Sequence, residues 1–95
     1  MYFEWDPKKD MINRKKHHID FMTASHVFND EHRIEIYDAR HSEVEDRFIT
    51  IGLINEILTV VTVVYTTRKR SIRIISARKA DESERSEYYD GKEKY

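Results

Sequence analysis

Residues 47–79 read RFITIGLINEILTVVTVVYTTRKRSIRIISARK, and this stretch decides the fold. It is rich in Val, Ile and Thr, whose branched side chains favour an extended backbone, and short polar breaks interrupt it. We predict three strands in it, at Phe48–Leu53, Ile57–Thr67 and Ile72–Ser76. Asn55-Glu56 forms the first predicted turn, and the basic run Arg68–Ser71 forms the second. The short connections predict an antiparallel meander with the long β-branched strand in its centre.

The residues that precede this stretch predict one more strand and two helices. Side chains alternate with a period of two over residues 33–37, which indicates a strand. Asp6-Pro7 is a helix start, because Asp caps free N–H groups and Pro tolerates the first turn, and this helix is predicted to reach His17. Asp20 caps a second predicted helix, which ends at Asn29-Asp30.

The residues that follow it predict a last helix. Asp81 and Glu84 have the spacing of a capping box, in which each side chain accepts a backbone N–H of the other residue. Tyr88 and Tyr89 are expected to dock this helix, Gly91 to end it, and residues 92–95 to fray. The predicted fold class is therefore α+β, with two N-terminal helices, a four-stranded antiparallel sheet and a C-terminal helix in one domain over residues 1–95.

Composition limits the classes of function. The 95 residues contain no cysteine, which excludes disulfides and thiolate metal sites. The five histidines show no HxxxH or HExxH spacing, so we expect neither a metal site nor a cofactor. The N-terminus has no apolar signal core, and the longest apolar run is far shorter than a membrane span, so we expect a cytoplasmic protein.

Charge is unevenly distributed although the net charge is −1. Residues 68–79 carry six Lys or Arg and no acid, and residues 8–18 carry five against one acid. Residues 29–46, in contrast, carry seven acids against two Lys or Arg. A local basic surface indicates an anionic ligand. The alternative is charge balance between neighbouring elements, or a basic edge that discourages association between sheets.

Arg73 and Arg78 are the first candidates for contact with phosphate, because guanidinium groups bind it with a planar fork. They are five residues apart, so an unbroken strand would direct them to opposite faces, and they converge only if the strand bends or stops near Ser76. Lys16 and His17 lie at a predicted helix end, where they could face phosphate or simply complement the helix dipole.

Two further residues have competing interpretations. Glu45 is a candidate base, with a salt bridge to Arg47 as the commoner use of such a pair; the two side chains could share one strand face. Trp5 is a candidate for stacking on a base, with a role in the core as the alternative.

Four motifs together carry a family resemblance. They are FEWDP at residues 3–7, KH at 16–17, HS-x-x-E-x-RF at 41–48 and RIISAR at 73–78. In this order they resemble the BrnT family, toxins of type II toxin–antitoxin pairs whose fold is similar to RelE-type ribonucleases. The matching residues span most of the chain.

The resemblance implies a ribosome-independent, metal-independent endoribonuclease that inhibits translation and growth. It further implies a BrnA-like antitoxin that dimerises, binds operator DNA and masks the toxin, in a 2:2 heterotetramer. The catalytic residues implied are Arg73, Arg78, His17 and Glu45, and the RNA-binding residues are Lys16, Arg68, Lys79 and Trp5. The alternatives are a decayed, non-catalytic toxin that acts as an antitoxin-binding co-repressor, or a plain RNA-binding module.

Overall fold

The computed structural model describes residues 1–93. Its elements in chain order are β1 (Tyr2–Glu4), α1 (Pro7–His17), α2 (Phe21–Ala24), a 3-10 segment (Ser25–Asn29), β2 (Ile34–Tyr37), a 3-10 turn (Ala39–His41), β3 (Arg47–Ile54), a 3-10 turn (Asn55–Ile57), β4 (Thr59–Arg68), β5 (Ser71–Lys79) and α3 (Glu82–Glu93). The α+β class is confirmed. Within residues 1–93, no helix combines the length and the apolar character that crossing a membrane requires.

The sheet has five strands in the order β1-β5-β4-β3-β2. Strands β2 to β5 form the predicted antiparallel meander. β1 is an additional edge strand that runs parallel to β5 and pairs Tyr2 with Ser71 and Glu4 with Arg73. The predicted four-stranded antiparallel sheet is therefore wrong in this respect. Three residues are too few to show a period, and their pairing partners lie at the far end of the chain.

Helical residues cover one face of the sheet and part of the other. One face carries Val61, Val63 and Tyr65 of β4 and packs against Phe21 and Val27 of the second helical region. The other face, which we call the α3 face, carries Val60, Thr62, Val64 and Thr66. These sets alternate because successive side chains of a strand point to opposite sides. On the α3 face, Tyr88 packs against a small apolar cluster with Ile51 and Val60.

The helix starts agree with the sequence because each is fixed by a local side chain. Asp6 accepts a hydrogen bond from the amide of Lys8, and Asp20 accepts one from the amide of Thr23. The second helix differs from the prediction, since it is α-helical only to Ala24 and then tightens into 3-10 geometry.

The C-terminal helix begins with the predicted reciprocal cap, in which Asp81 and Glu84 each accept the other's amide. Tyr88 is buried, with 1% of its surface exposed, whereas Tyr89 is 45% exposed, so one of the two predicted docking residues holds the helix. Gly91 does not end α3, which continues to Glu93. Of the predicted frayed end, residues 94–95 lie outside the described residues.

Two strand boundaries differ from the prediction by two or more residues. β4 begins at Thr59 rather than Ile57, because Asn55–Ile57 forms a 3-10 turn that closes with Leu58 in the left-handed region at φ 50°. β5 extends beyond Ser76 to Lys79, and Arg68 pairs with Ser71, so the second turn consists of residues 69–70.

The two outer strands are shorter than their neighbours, and side chains satisfy the backbone left unpaired. Beyond β1, the Asn13 side chain donates to the carbonyl of Ala77 at 2.7 Å and accepts from its amide at 3.1 Å. Beyond β2, Asp30 accepts from the amide of Leu53 at 2.8 Å and from the Tyr88 hydroxyl. Asn13 thereby fixes α1 to the outer edge of β5.

Candidate functional site

A bulge in β5 places Arg73 and Arg78 on the same face of the sheet. Opposite β4, Tyr65 pairs with Ile74 and Val64 pairs with Ser76, so Ile75 is an extra residue in the ladder. An extra residue reverses the alternation of side chains beyond it. Arg73 and Arg78 were expected to share a face only if the strand bends or stops near Ser76. The bulge at Ile75 provides this irregularity.

The register brings four arginines to the α3 face, and we call this set the arginine face. One cross-strand row runs from Arg47 on β3 through Thr66 and Arg73 to Glu4. Arg68 lies on the same side of β4, opposite Ser71. Arg78 lies opposite Thr62. The arginine face consists of Arg47, Arg68, Arg73 and Arg78.

Arg78 forms an ion pair with a residue in the first turn of α3. Its guanidinium donates to both oxygens of Glu84, at 2.7 and 2.9 Å. Burial opposes ionisation of Glu84, but the hydrogen bonds from Arg78 and from the Asp81 amide outweigh it and lower the pKa of Glu84. The hydrogen bonds with Glu84 raise the pKa of Arg78. Arg78 thus joins β5 to α3 through a two-point ion pair.

The other arginines are held more loosely. Arg73 lies 3.8 Å from Glu4, and Arg68 lies 3.3 Å from Glu45. Both ion pairs are at the surface, with about a third to a half of each side chain exposed. Within residues 1–93, Arg47 has no carboxylate within ion-pair distance. Arg47 is therefore the least neutralised cation of the arginine face.

The loop between β2 and β3 borders this face with a groove of about 460 Å³, lined by Arg40, His41, Glu43, Val44, Glu45 and Arg47. Ser42 holds the loop in place, since its hydroxyl donates to the carbonyl of Asp38 and accepts from the amide of Arg47. Thr66 adds a hydrogen bond to the carbonyl of Asp46. Glu45 lies in this loop before β3 begins, and its carboxylate pairs with Arg68 rather than with Arg47.

The remaining candidates lie elsewhere. Lys79 pairs with Val61, which places its side chain on the face opposite Arg78. Lys16 and His17 lie one helical turn beyond Asn13, so they flank the outer edge of β5; Lys16 is exposed and His17 half-buried. Trp5 packs edge-on against Phe21 beside the main core, as its structural interpretation predicts.

Two members of the site are absent from the sequence-derived candidate list. The sequence presents Arg47 only as a salt-bridge partner of Glu45, and it gives Glu4 no role in the site. The available signal was their presence in the HS-x-x-E-x-RF and FEWDP motifs. Across residues 1–93, no group of three His, Cys, Asp or Glu side chains is arranged to hold a metal ion.

Comparison with known proteins adds one finding. A family model described as "Ribonuclease toxin, BrnT, of type II toxin-antitoxin system" matches residues 5–84. This range contains all four residues of the arginine face and α1, and it ends at Glu84, the partner of Arg78. The search of curated proteins gave no match.

Proposed function

The chain belongs to the BrnT family of ribonuclease toxins of type II toxin–antitoxin systems, and from this premise we propose that it is an endoribonuclease that cleaves RNA on the arginine face. The observation that carries the proposal is the cross-strand row that places Arg47 and Arg73 on one side of the sheet, to which the bulge in β5 also brings Arg78. Translation and growth stop as a result, in the cytoplasm. We also propose that the fold is related to that of RelE-type ribonucleases.

The proposed reaction needs no metal ion. The 2′-hydroxyl of a nucleotide attacks the adjacent phosphate, and the 5′-oxygen of the next nucleotide leaves. A base accepts the proton of the 2′-hydroxyl, an acid protonates the leaving oxygen, and cations stabilise the charge on the crowded phosphate. We assign the last role to Arg73 with Arg47.

Glu45 is the proposed base and His17 the proposed acid. Glu45 reaches the arginine face through Arg68, whose guanidinium holds its carboxylate at 3.3 Å. His17 lies on α1 one helical turn beyond Asn13, which binds the outer edge of β5 at Ala77. Arg78 contributes charge while joining β5 to α3, and Arg68 and Lys16 contact flanking phosphates. Lys79 lies on the opposite face, so its proposed phosphate contact requires RNA that passes around the end of β5. Trp5 is half-buried beside the main core, so its proposed RNA contact lies away from the arginine face.

The test is cleavage of an RNA oligonucleotide in EDTA by the native chain and by Arg73→Ala. Removing one preorganised charge from a phosphoryl transition state costs about 100- to 1000-fold in kcat. Arg14→Ala is the matched control, because it removes one exposed positive charge from α1 and should cleave normally. Loss of cleavage in EDTA, or full activity of Arg73→Ala, would contradict the proposal.

One observation favours a second candidate. Three of the four arginines have carboxylate partners, so much of the positive charge on this face is already balanced. A decayed toxin that only supports its antitoxin on DNA, or only binds RNA, is compatible with such a surface. Inducible expression separates the two: the ribonuclease arrests growth, whereas the non-catalytic protein does not.

The proposed protein partner is a BrnA-like antitoxin, dimeric and bound to operator DNA, in a 2:2 complex with the toxin. An acidic antitoxin segment would complement the arginine face, so antitoxin and RNA are expected to compete for it. Displacement of labelled RNA by a purified BrnA-like antitoxin tests this. Simultaneous binding of both would exclude competition.

A further inference from the structure

An exposed aromatic ring borders the arginine face. In β1 the side chains alternate, so Tyr2 and Glu4 lie on the α3 face while Phe3 lies on the other. Phe3 packs against the ring of Phe28, with centroids 5.4 Å apart, which confirms its inward direction. Tyr2 is 73% exposed. Its ring is therefore open to solvent on the same side as Arg73.

Tyr2 is unusual among the aromatic residues of the strands. Four strand aromatics, Phe3, Tyr37, Phe48 and Tyr65, lie on the opposite face according to the register. Each of those four rings contacts another aromatic ring, and within residues 1–93 Tyr2 contacts none. The Tyr2 ring thus has a free surface and no role in the core.

The register also fixes its distance from the cations. Tyr2 lies opposite Ser71, which pairs with Arg68 across the hairpin. The row with Arg73 is two residues further along the strands, about 7 Å away. This is a separation that one nucleotide spans between its phosphate and its base, so a phosphate bound at Arg73 leaves a base within reach of the ring.

We infer that Tyr2 stacks on an unpaired base of RNA bound to the arginine face, an inference that rests on the proposed function. Stacking on an aromatic ring accepts any base, because every base has a π-face, but the base must be unpaired. Bases within a duplex are stacked on one another and do not offer this surface. The inference therefore assigns single-stranded RNA as the class of ligand.

The experiment measures binding of a 5′-labelled single-stranded RNA, made uncleavable by 2′-O-methyl groups, and of the matching duplex. We expect Tyr2→Ala to bind the single strand about 5- to 10-fold more weakly and the duplex unchanged. Tyr2→Phe and Tyr2→Trp keep a ring and should bind the single strand as the native chain does. Tyr89→Ala, which removes a partly exposed tyrosine of α3, is the matched control.

Three results would overturn the inference. They are native binding by Tyr2→Ala, an equal loss of duplex binding, or a loss by Tyr2→Phe as large as that by Tyr2→Ala, which would indicate the hydroxyl group instead. A urea midpoint equal to that of the native chain shows that Tyr2→Ala is folded. Failure of the proposed function looks different, because the native chain would then leave an unmodified, cleavable RNA of the same sequence intact, whatever Tyr2→Ala does to binding.

Discussion

Replacing Asn13 with alanine tests how α1 is attached to the sheet. Asn13 is 5% exposed and makes three hydrogen bonds, two with the backbone of Ala77 and one with the carbonyl of Ile19. At about 1 kcal/mol for each net hydrogen bond, Asn13→Ala should lower the free energy of unfolding by about 3 kcal/mol. The amide and carbonyl of Ala77 would also lose their partner at a buried site, which adds to the effect.

The assay is urea unfolding followed by the fluorescence of Trp5, the single tryptophan of the chain. With an m-value of about 1.5 kcal/mol/M, the midpoint should fall by about 2 M. Asn29→Ala is the matched control, because Asn29 is exposed and should leave the midpoint unchanged. Asn13→Asp should destabilise at least as much at pH 7, since it directs a carboxylate oxygen at carbonyl oxygens. A loss below about 0.5 kcal/mol for Asn13→Ala would refute the reasoning.

The other predictions concern Gly52, Asp30 and the ion pair of Arg78 with Glu84. A Cβ at Gly52 would lie 2.9 Å from Cγ2 of Val27, so Gly52→Ala should cost about 1–3 kcal/mol in urea unfolding, and an unchanged midpoint would contradict this. Burial opposes ionisation of Asp30, but hydroxyl and amide donors outweigh it and lower its pKa below the ordinary value of 3.8. Ionised Asp30 therefore stabilises the fold fully above that value, and this stabilisation is lost as the pH falls through the lowered pKa of the folded state. The difference in the free energy of unfolding between the native chain and Asp30→Asn should narrow from about pH 5 to about pH 3. A difference that stays constant with pH would show that ionised Asp30 does not stabilise the fold. Arg78→Ala and Glu84→Gln should each lower the free energy of unfolding by about 1 kcal/mol, because each breaks the pair that starts α3; unchanged midpoints in both would show that the pair is not structural.

The sequence predicted the parts of the fold that depend on local interactions. Asp6, Asp20 and the pair Asp81 and Glu84 each cap a helix within three residues of themselves, so their effect can be recognised without tertiary structure. The meander is similar, since its strands are neighbours in the chain and its turns are short.

What the sequence did not reveal depends on pairing between distant residues. β1 has a strand conformation because β5, almost seventy residues later, offers it an edge. The bulge at Ile75 is defined only relative to β4, and nothing in RIISAR identifies which residue is extra. For this reason the sequence predicts that Arg73 and Arg78 share a face only if the strand is irregular between them, but it does not predict the irregularity itself.

The candidate site was limited in the same way. Its residue types were visible, but the ion-pair partners were not, and these partners determine what each arginine can do. The sequence suggests that Glu45 pairs with Arg47, two residues away, whereas in the structure it pairs with Arg68, which is close only after the hairpin forms. Trp5 could not be assigned to the core until its contact with Phe21 was known.

The ion pairs rank the four arginines by their availability to RNA. RNA can bind Arg47 without displacing a carboxylate. Arg73 and Arg68 have exposed partners, and such pairs contribute only about 0.2–1 kcal/mol, so a phosphate that accepts two hydrogen bonds can replace them at little cost. Arg78 is different, because phosphate would have to displace the carboxylate that begins α3. Reduced cleavage in Arg78→Ala therefore reports a structural change as well as a chemical one, and Arg73→Ala is the variant that isolates the chemistry.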